Sequence, residues 1–181
     1  GTPAENLTGK FAKALQKRHG IIEGITDKEY VTNSYHVPVW VKMTAHEKIK
    51  YEAQLQRLSK GGAISYVEMG NLRNNLDAVL DIITCIHENI GYAELNGAPD
   101  RCQCCGYEGE IQLVENPEGK LIWKCPSCGN TDKSLMTIIR RVCGYLLNSN
   151  DCTQARLHDI NDRYKHADGQ NDVYTVPSTE E

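Results

Sequence analysis

The feature that most constrains this chain is a pair of short cysteine repeats, Cys102-Gln-Cys-Cys105 and Cys125-Pro-Ser-Cys128, with 19 residues between them. A solitary C-x-x-C is the pattern of a redox dithiol, whereas two knuckles at this separation have the spacing of a tetrahedral zinc site. Each knuckle sets two thiolates on one tight turn, and Gly106 and Gly129 follow directly, where the backbone has to curl around the ion. Cys104 lies inside the first knuckle and could replace Cys102 or Cys105; the spacing favours Cys102, Cys105, Cys125 and Cys128 as the ligands. Four sulfur ligands leave no open position, so a zinc ion there holds a fold together and does not bind substrate. Between the knuckles, Glu110 to Val114 and Leu121 to Trp123 read as short strands joined by Asn116-Pro-Glu-Gly119, the hairpin of a zinc ribbon.

Composition decides which other classes survive. The chain has 8 cysteines, an even number that could also signal disulfides. The start, Gly1-Thr-Pro-Ala-Glu5, has neither the basic residues nor the apolar core of a secretory signal, and 181 residues is long for a disulfide miniature. A reducing cytoplasm is the expected compartment. With 20 Lys+Arg against 24 Asp+Glu, the basic residues are outnumbered and scattered, and Glu108, Glu110, Glu115 and Glu118 crowd the ribbon. A nucleic-acid backbone demands a clustered basic face, so nucleic acid is a poor partner for this surface. No run approaches the roughly 18 consecutive apolar residues of a membrane helix. The chain opens without Met, inside what reads as a structural motif, and is expected to be a fragment, a processed product or one piece of a split protein.

The first half alternates helix and strand signals. Thr2-Pro-Ala-Glu5 is a capping box with proline at the first helical position, after which Leu7, Phe11, Ala14 and Leu15 keep a helical spacing up to His19-Gly20. From Ile21 to Met43 the β-branched density predicts one or two strands, with a turn at Asn33-Ser-Tyr-His36. Thr44 and Glu47 form a second capping box for a helix lined by Ile49, Tyr51, Leu55 and Leu58 and ending at Gly61-Gly62. Ala63 to Met69 is a strand candidate, and Asn71 can cap a helix striped by Leu72, Leu76, Val79, Leu80, Ile83 and Ile86. Cys85 lies on that helix and reads as a small core residue. The alternation predicts an α/β layer fold with parallel crossovers.

Beyond the second knuckle stands Arg140-Arg-Val-Cys-Gly-Tyr-Leu146. A glycine in an apolar stretch usually marks a bend or close packing. The string Arg141-Val-Cys-Gly-Tyr145, however, matches the glycyl radical signature. Placed behind Cys105-Gly-Tyr107 and Cys125-Pro-Ser-Cys-Gly129, it resembles the C-terminal part of anaerobic (class III) ribonucleoside-triphosphate reductases. Gly1-Thr-Pro-Ala-Glu5, Thr32-Asn-Ser-Tyr-His-Val-Pro38, Gly61-Gly62, Tyr66-Val-Glu68 and Lys165-His166 look similar to the same family, so the resemblance spans nearly the whole chain. One departure is local: Leu147 stands where the family usually has a glycine after the leucine.

The resemblance implies an α/β fold, the C-terminal portion of a ten-stranded barrel of glycyl radical enzyme type. Residues 1–95 would be the last strands and helices, 96–132 the zinc ribbon and 133–181 the radical loop and tail. Gly144 would store the radical. Loss of a hydrogen from Cα leaves a centre that is planar when shared with the flanking amide nitrogen and carbonyl, and a Cβ would crowd that plane. The family passes this radical to a cysteine whose thiyl removes the ribose 3′ hydrogen, so that the 2′-hydroxyl can leave. No loop here matches the one bearing that cysteine, so turnover would need an N-terminal part of the reductase.

Implied partners are that N-terminal part, a radical-SAM iron–sulfur activating enzyme that installs the radical, a ribonucleoside triphosphate and a second copy in a homodimer, in the cytoplasm of an anaerobically growing cell or of a phage host. Thr2 and Ala4, at a helix N-terminus suited to phosphate, and Asn33, Ser34 and His36 are substrate-binding candidates beside their plain readings as a cap and a hydrogen-bonded turn. Two alternatives remain: a stand-alone subunit that restores the radical loop of a damaged reductase, and a zinc-ribbon binding module unrelated to radicals.

Overall fold

The computed structural model describes residues 7–32, 35–60, 62–70, 72, 75–142, 145–148 and 152–166. Its elements run α1 (Thr8–His19), α2 (Ala45–Gln56), β1 (Ser65–Glu68), α3 (Leu76–Asn89), β2 (Ala93–Asn96), β3 (Arg101–Cys102), β4 (Gln112–Glu115), β5 (Leu121–Lys124), β6 (Met136–Thr137), β7 (Ile139–Val142), β8 (Tyr145–Asn148) and α4 (Gln154–Asp162). They fall into two compact units, each discontinuous in sequence: Gly1–Val31 with Ala98–Asp162, and Thr32–Gly97 with Arg163–Glu181. No helix among the described residues is long and apolar enough to cross a membrane.

In the second of these units, β1 and β2 pair in parallel, Ser65 opposite Ala93 through Glu68 opposite Asn96, with α3 as the crossover. This is the α/β arrangement the alternation predicts, since parallel neighbours need a long connection and a helix supplies it. Thr44 caps α2 as expected: its hydroxyl accepts from Glu47 N (3.2 Å) and the Glu47 carboxylate accepts from Thr44 N (2.8 Å). Those bonds to Thr44 hold the Glu47 carboxyl below its ordinary range. The helix stops at Gln56, short of the glycines, and a turn leads to Gly62 at φ +81, a conformation that favours glycine.

The packing face of α3 differs from the expected stripe. Ala78, Ile82 and Cys85 are the buried residues of α3, and Ile82 and Cys85 cluster with Ala45, Ile49 and Ala53 of α2 and Val67 of β1, with Val79 and Ile86 at the margin. Leu76, Leu80 and Ile83 stay exposed. The cap is Asn75, whose Oδ1 accepts from Ala78 N (3.1 Å), so the cap stands four residues after Asn71. Two apolar stripes share this helix. Small Ala78 and Cys85 let α2 approach closely, which the bulkier stripe would not.

The strands predicted between Ile21 and Met43 are absent among the described residues. Ile21 and Ile25 are 78% and 67% exposed, and turns replace extended chain. The Thr26 hydroxyl accepts from Ile22 N (2.7 Å) and donates to Gly20 O (2.7 Å), while Gln16 Nε2 donates to Thr26 O (2.7 Å). Side chains that satisfy nearby backbone groups compete with strand pairing, and here they win.

In the other unit, α1 runs against α4, and a Cβ on Gly9 would meet Ala155 Cβ at 2.6 Å, so glycine permits the approach. Tyr30 Oη donates to Asp162 (2.8 Å) at the end of α4. Thr8 and Ala12 form the buried face of α1, not the expected Leu7 and Phe11, which are exposed. The predicted cap at Thr2 lies outside the described residues. The remaining core of this unit gathers Cys102, Ile111, Leu121, Trp123, Cys125, Met136, Ile138 and Leu157.

Candidate metal centre and glycine hairpin

The two knuckles share one backbone design. Cys102 N donates to Tyr107 O and Gly106 N to Cys102 O, both at 2.9 Å; Cys125 N donates to Asn130 O and Gly129 N to Cys125 O, again at 2.9 Å. Gly106 (φ +74) and Gly129 (φ +72) occupy the left-handed region that closes each turn. As a result the sulfurs of Cys102, Cys105, Cys125 and Cys128 all lie within 4.8 Å of one another, and Cys104 points outside the group. Across the knuckles, Cys102 Sγ is 3.8 Å from Cys128 Sγ and Cys105 Sγ is 3.7 Å from Cys125 Sγ. Bonds of about 2.3 Å in a tetrahedron put zinc-bound sulfurs about 3.8 Å apart, so the donor set fits a metal such as zinc.

The thiols are electrostatically prepared for an ion. The Tyr107 backbone N–H pulls Cys105 down to about 7. Burial pushes Cys102 up, and the backbone N–H groups of Cys105 and Cys104 together with the Cys128 and Cys125 thiols more than offset it. Cys128 is pushed up to about 12: the Asn130 N–H pulls it down, but burial and the neighbouring sulfurs outweigh that pull. A cluster that loses one proton readily and holds another tightly has charge crowding that a bound dication relieves.

Between the knuckles, β4 and β5 pair antiparallel, Gln112 opposite Lys124 through Glu115 opposite Leu121. The Asn116 side chain closes the hairpin by accepting from Glu118 N (3.1 Å) and Lys120 N (2.8 Å). β3 pairs with β6, Cys102 opposite Met136, which brings the chain after the second knuckle back to the first ligand. Three residues on begins an antiparallel hairpin that sequence reasoning left as a loop. Here Ile139 opposes Asn148 and the register runs to Val142 opposite Tyr145. Only Cys143 and Gly144 connect these paired residues, and both lie outside the described residues. Leu147, the position of the family departure, pairs with Arg140 inside β8.

Of the substrate-binding candidates, Thr2, Ala4, Asn33 and Ser34 lie outside the described residues. His36 stacks on Tyr35 (centroids 4.9 Å) and its Nε2 donates to Ile64 O (2.7 Å), which commits one ring nitrogen to the fold. Sequence reasoning also missed the buried and half-buried charges. In the parallel unit, Lys48 pairs with Glu52, whose Oε1 also accepts from Val37 N (2.9 Å), and Glu68 accepts from Arg163 (3.0 Å) and Asn96 (2.9 Å). In the ribbon unit, Asp100 pairs with Arg140. The i,i+4 spacing of Lys48 and Glu52 was a visible signal; the other partners are too far apart in sequence. Cys85 is buried, as expected, and burial pushes its thiol up.

Residues 1–166 match the sequence profile of the family described as anaerobic ribonucleoside-triphosphate reductase. The reductase of that name from Haemophilus influenzae is 39% identical over 145 residues, 80% of this chain and 20% of its own length. The one from Enterobacteria phage T4 is 39% identical over 150 residues, 83% of this chain and 24% of its own. Among solved structures, an anaerobic ribonucleotide reductase superposes with a TM-score of 0.60 at 18% identity, covering 90% of this chain and 24% of its own. That from Thermotoga maritima with glycerol in the active site gives 0.55 at 18% identity, covering 87% and 23%. These two carry the α/β fold. The chain belongs to the anaerobic ribonucleoside-triphosphate reductase family and corresponds to its C-terminal region, spanning about a fifth to a quarter of its relatives' length.

Proposed function

We propose that this chain is the radical-storing part of a reductase that converts ribonucleoside triphosphates to deoxyribonucleoside triphosphates. The observation that carries the reading is a radical-signature glycine, in a chain matched to the family over 166 residues, standing alone with Cys143 between the last paired residues of a hairpin. Gly144 bears the radical, and Cys102, Cys105, Cys125 and Cys128 hold one structural zinc that braces the ribbon. On activation one Cα–H bond of Gly144 breaks, and its hydrogen atom goes to the carbon radical generated by a radical-SAM activase. The N-terminal part of the reductase supplies the thiyl cysteine and the rest of the barrel, and the full enzyme pairs as a homodimer. Thr2, Ala4, Asn33, Ser34 and His36 face the nucleotide in this reading, and the division at 95 and 132 into barrel, ribbon and radical loop belongs to it. Exposed Leu76, Leu80 and Ile83 on α3, and Leu7 and Phe11 on α1, support it, because apolar helix faces are commonly covered in a larger assembly.

The test is anaerobic activation of the chain together with its N-terminal part and the activase, followed by electron paramagnetic resonance. Glycine that has lost one of two α-hydrogens keeps one coupled proton, so the expected signal is a doublet that disappears in Gly144→Ala. A doublet that persists in that variant sinks the assignment.

A further inference from the structure

Arg140 stands four residues before Gly144, on the strand that leads to it, yet its side chain belongs to the ribbon. It is 8% exposed and forks onto the Asp100 carboxylate, Nη1 to Oδ1 and Nη2 to Oδ2, the latter at 2.6 Å. Nη2 also donates to Ile111 O (3.3 Å), and the guanidinium lies 5.0 Å from the centre of the Trp123 ring. Asp100, with a wholly buried side chain, accepts from Ile111 N through Oδ2 (2.8 Å) and from Gly109 N through its carbonyl (3.0 Å). Asp100 precedes the ligand Cys102 by two residues, and Trp123 precedes the ligand Cys125 by two. Each knuckle thus sends one short arm to the same guanidinium.

Replacing a buried ion pair by well-packed apolar residues often costs a protein no stability, so bulk stability is a poor reason for one. What the pair adds is geometry. A planar fork on a carboxylate admits one orientation, and stacking on an indole fixes the remaining rotation. β7 is therefore anchored to the ribbon at Arg140, and the residues of β8 paired with it are tied to that anchor through the β7–β8 ladder.

We propose that Arg140, clamped by Asp100 and Trp123, is a positioning residue that transmits the order of the four-cysteine cluster to the hairpin carrying Gly144. The proposal rests on the reading of Gly144 as the radical site. In this arrangement metal loss loosens the glycine hairpin through the clamp, and breaking the clamp loosens the hairpin while the metal stays bound.

The experiment compares Arg140→Met, Arg140→Lys and Asp100→Asn with the parent chain. Metal content is measured, then amide hydrogen exchange by mass spectrometry on peptides covering 100–130 and 139–148. Expected are about one zinc per chain and a local rise in exchange at Asp100 and Ile111, where the carboxylate loses its partner, with exchange over 139–148 faster by about tenfold or more in Arg140→Met and by less in Arg140→Lys, which keeps the charge but loses the fork. In the reductase assembled with its N-terminal part and activase, the radical yield should fall in the same order at full metal occupancy. Parent-like protection and yield in Arg140→Met overturn the proposal. So does melting of both peptide sets with metal loss in all three variants, since the pair would then be an ordinary core element. Absence of any doublet in the parent enzyme refutes the Gly144 reading instead, and the exchange data still decide the clamp.

Discussion

The ribbon and the parallel β1–α3–β2 region obtain their order in opposite ways. In the ribbon, four ligands, two left-handed glycines and an asparagine-closed hairpin act within a few residues of where they stand in sequence. The parallel region has local caps at Thr44 and Asn75, but nothing local closes its core. Its core depends on which of two apolar stripes α3 turns inward, and its half-buried pair of Glu68 with Arg163 joins residues 95 apart in sequence. The second apolar stripe of α3, Leu76, Leu80 and Ile83, stays exposed.

Metal removal gives the largest expected effect that separates the two regions. Apparent zinc binding energies in small ribbons are about 10–16 kcal/mol, so chelation, or Cys102→Ser or Cys125→Ser, should unfold residues 100–130. Hydrogen exchange should show α2 and α3 still protected. Uniform loss of protection across the chain would instead mean that the two regions fold as one cooperative body.

Next comes Glu52. Its side chain is fully buried with Oε1 on Lys48 and Val37 N, and Glu52→Ala strands a buried ammonium, at a cost of about 3–5 kcal/mol. Replacing both partners, Lys48→Met with Glu52→Leu, should recover most of that in chemical denaturation, whereas any effect on the ribbon should be small.

The two stripes of α3 can be separated directly. Ile82→Ala opens a cavity and should cost about 2–5 kcal/mol, while Leu80→Ala, at an exposed position, should stay within about 0.5 kcal/mol in the isolated chain. If Leu80→Ala nevertheless weakens association with the N-terminal part, that face is an interface. Equal destabilisation by both substitutions would contradict the packing.

The smallest effect is one of pH. Burial holds His166 below its ordinary value, with Nδ1 donating to Met43 O at 3.0 Å. Below the unfolded value of about 6.5 the unfolded chain binds a proton that the folded chain resists, so stability of the parallel unit falls with pH in that window and is full above it. Exchange of α2 amides should rise on acidification below that value, and His166→Asn should flatten the response. Zinc loss in acid would appear in the ribbon peptides, which keeps the two causes apart.

Legibility in sequence follows the range of the interaction. The capping box at Thr44 and the hairpin around Asn116-Gly119 are set by contacts within four residues and were readable. The run from Ile21 to Met43 was misread because β-branched content suits a strand only where a partner strand exists; here the side chains of Thr26 and Gln16 satisfy the backbone instead. The β7–β8 hairpin was hidden for a related reason. Its residues include Arg140 and Arg141, poor strand signals until Arg140 finds a carboxylate 40 residues upstream.

By itself, the sequence determined the knuckle spacing, the radical-signature glycine and the family to which both point, because each is carried by residue identity at short range. Only the tertiary structure decided that Cys104 stands outside the sulfur group, that α3 packs through Ala78, Ile82 and Cys85, and that Arg140 ties the glycine hairpin to the ribbon. Those outcomes depend on groups distant in sequence meeting where water is excluded. There the pairing of each charge and the fit of each side chain select one arrangement among several that the pattern allows.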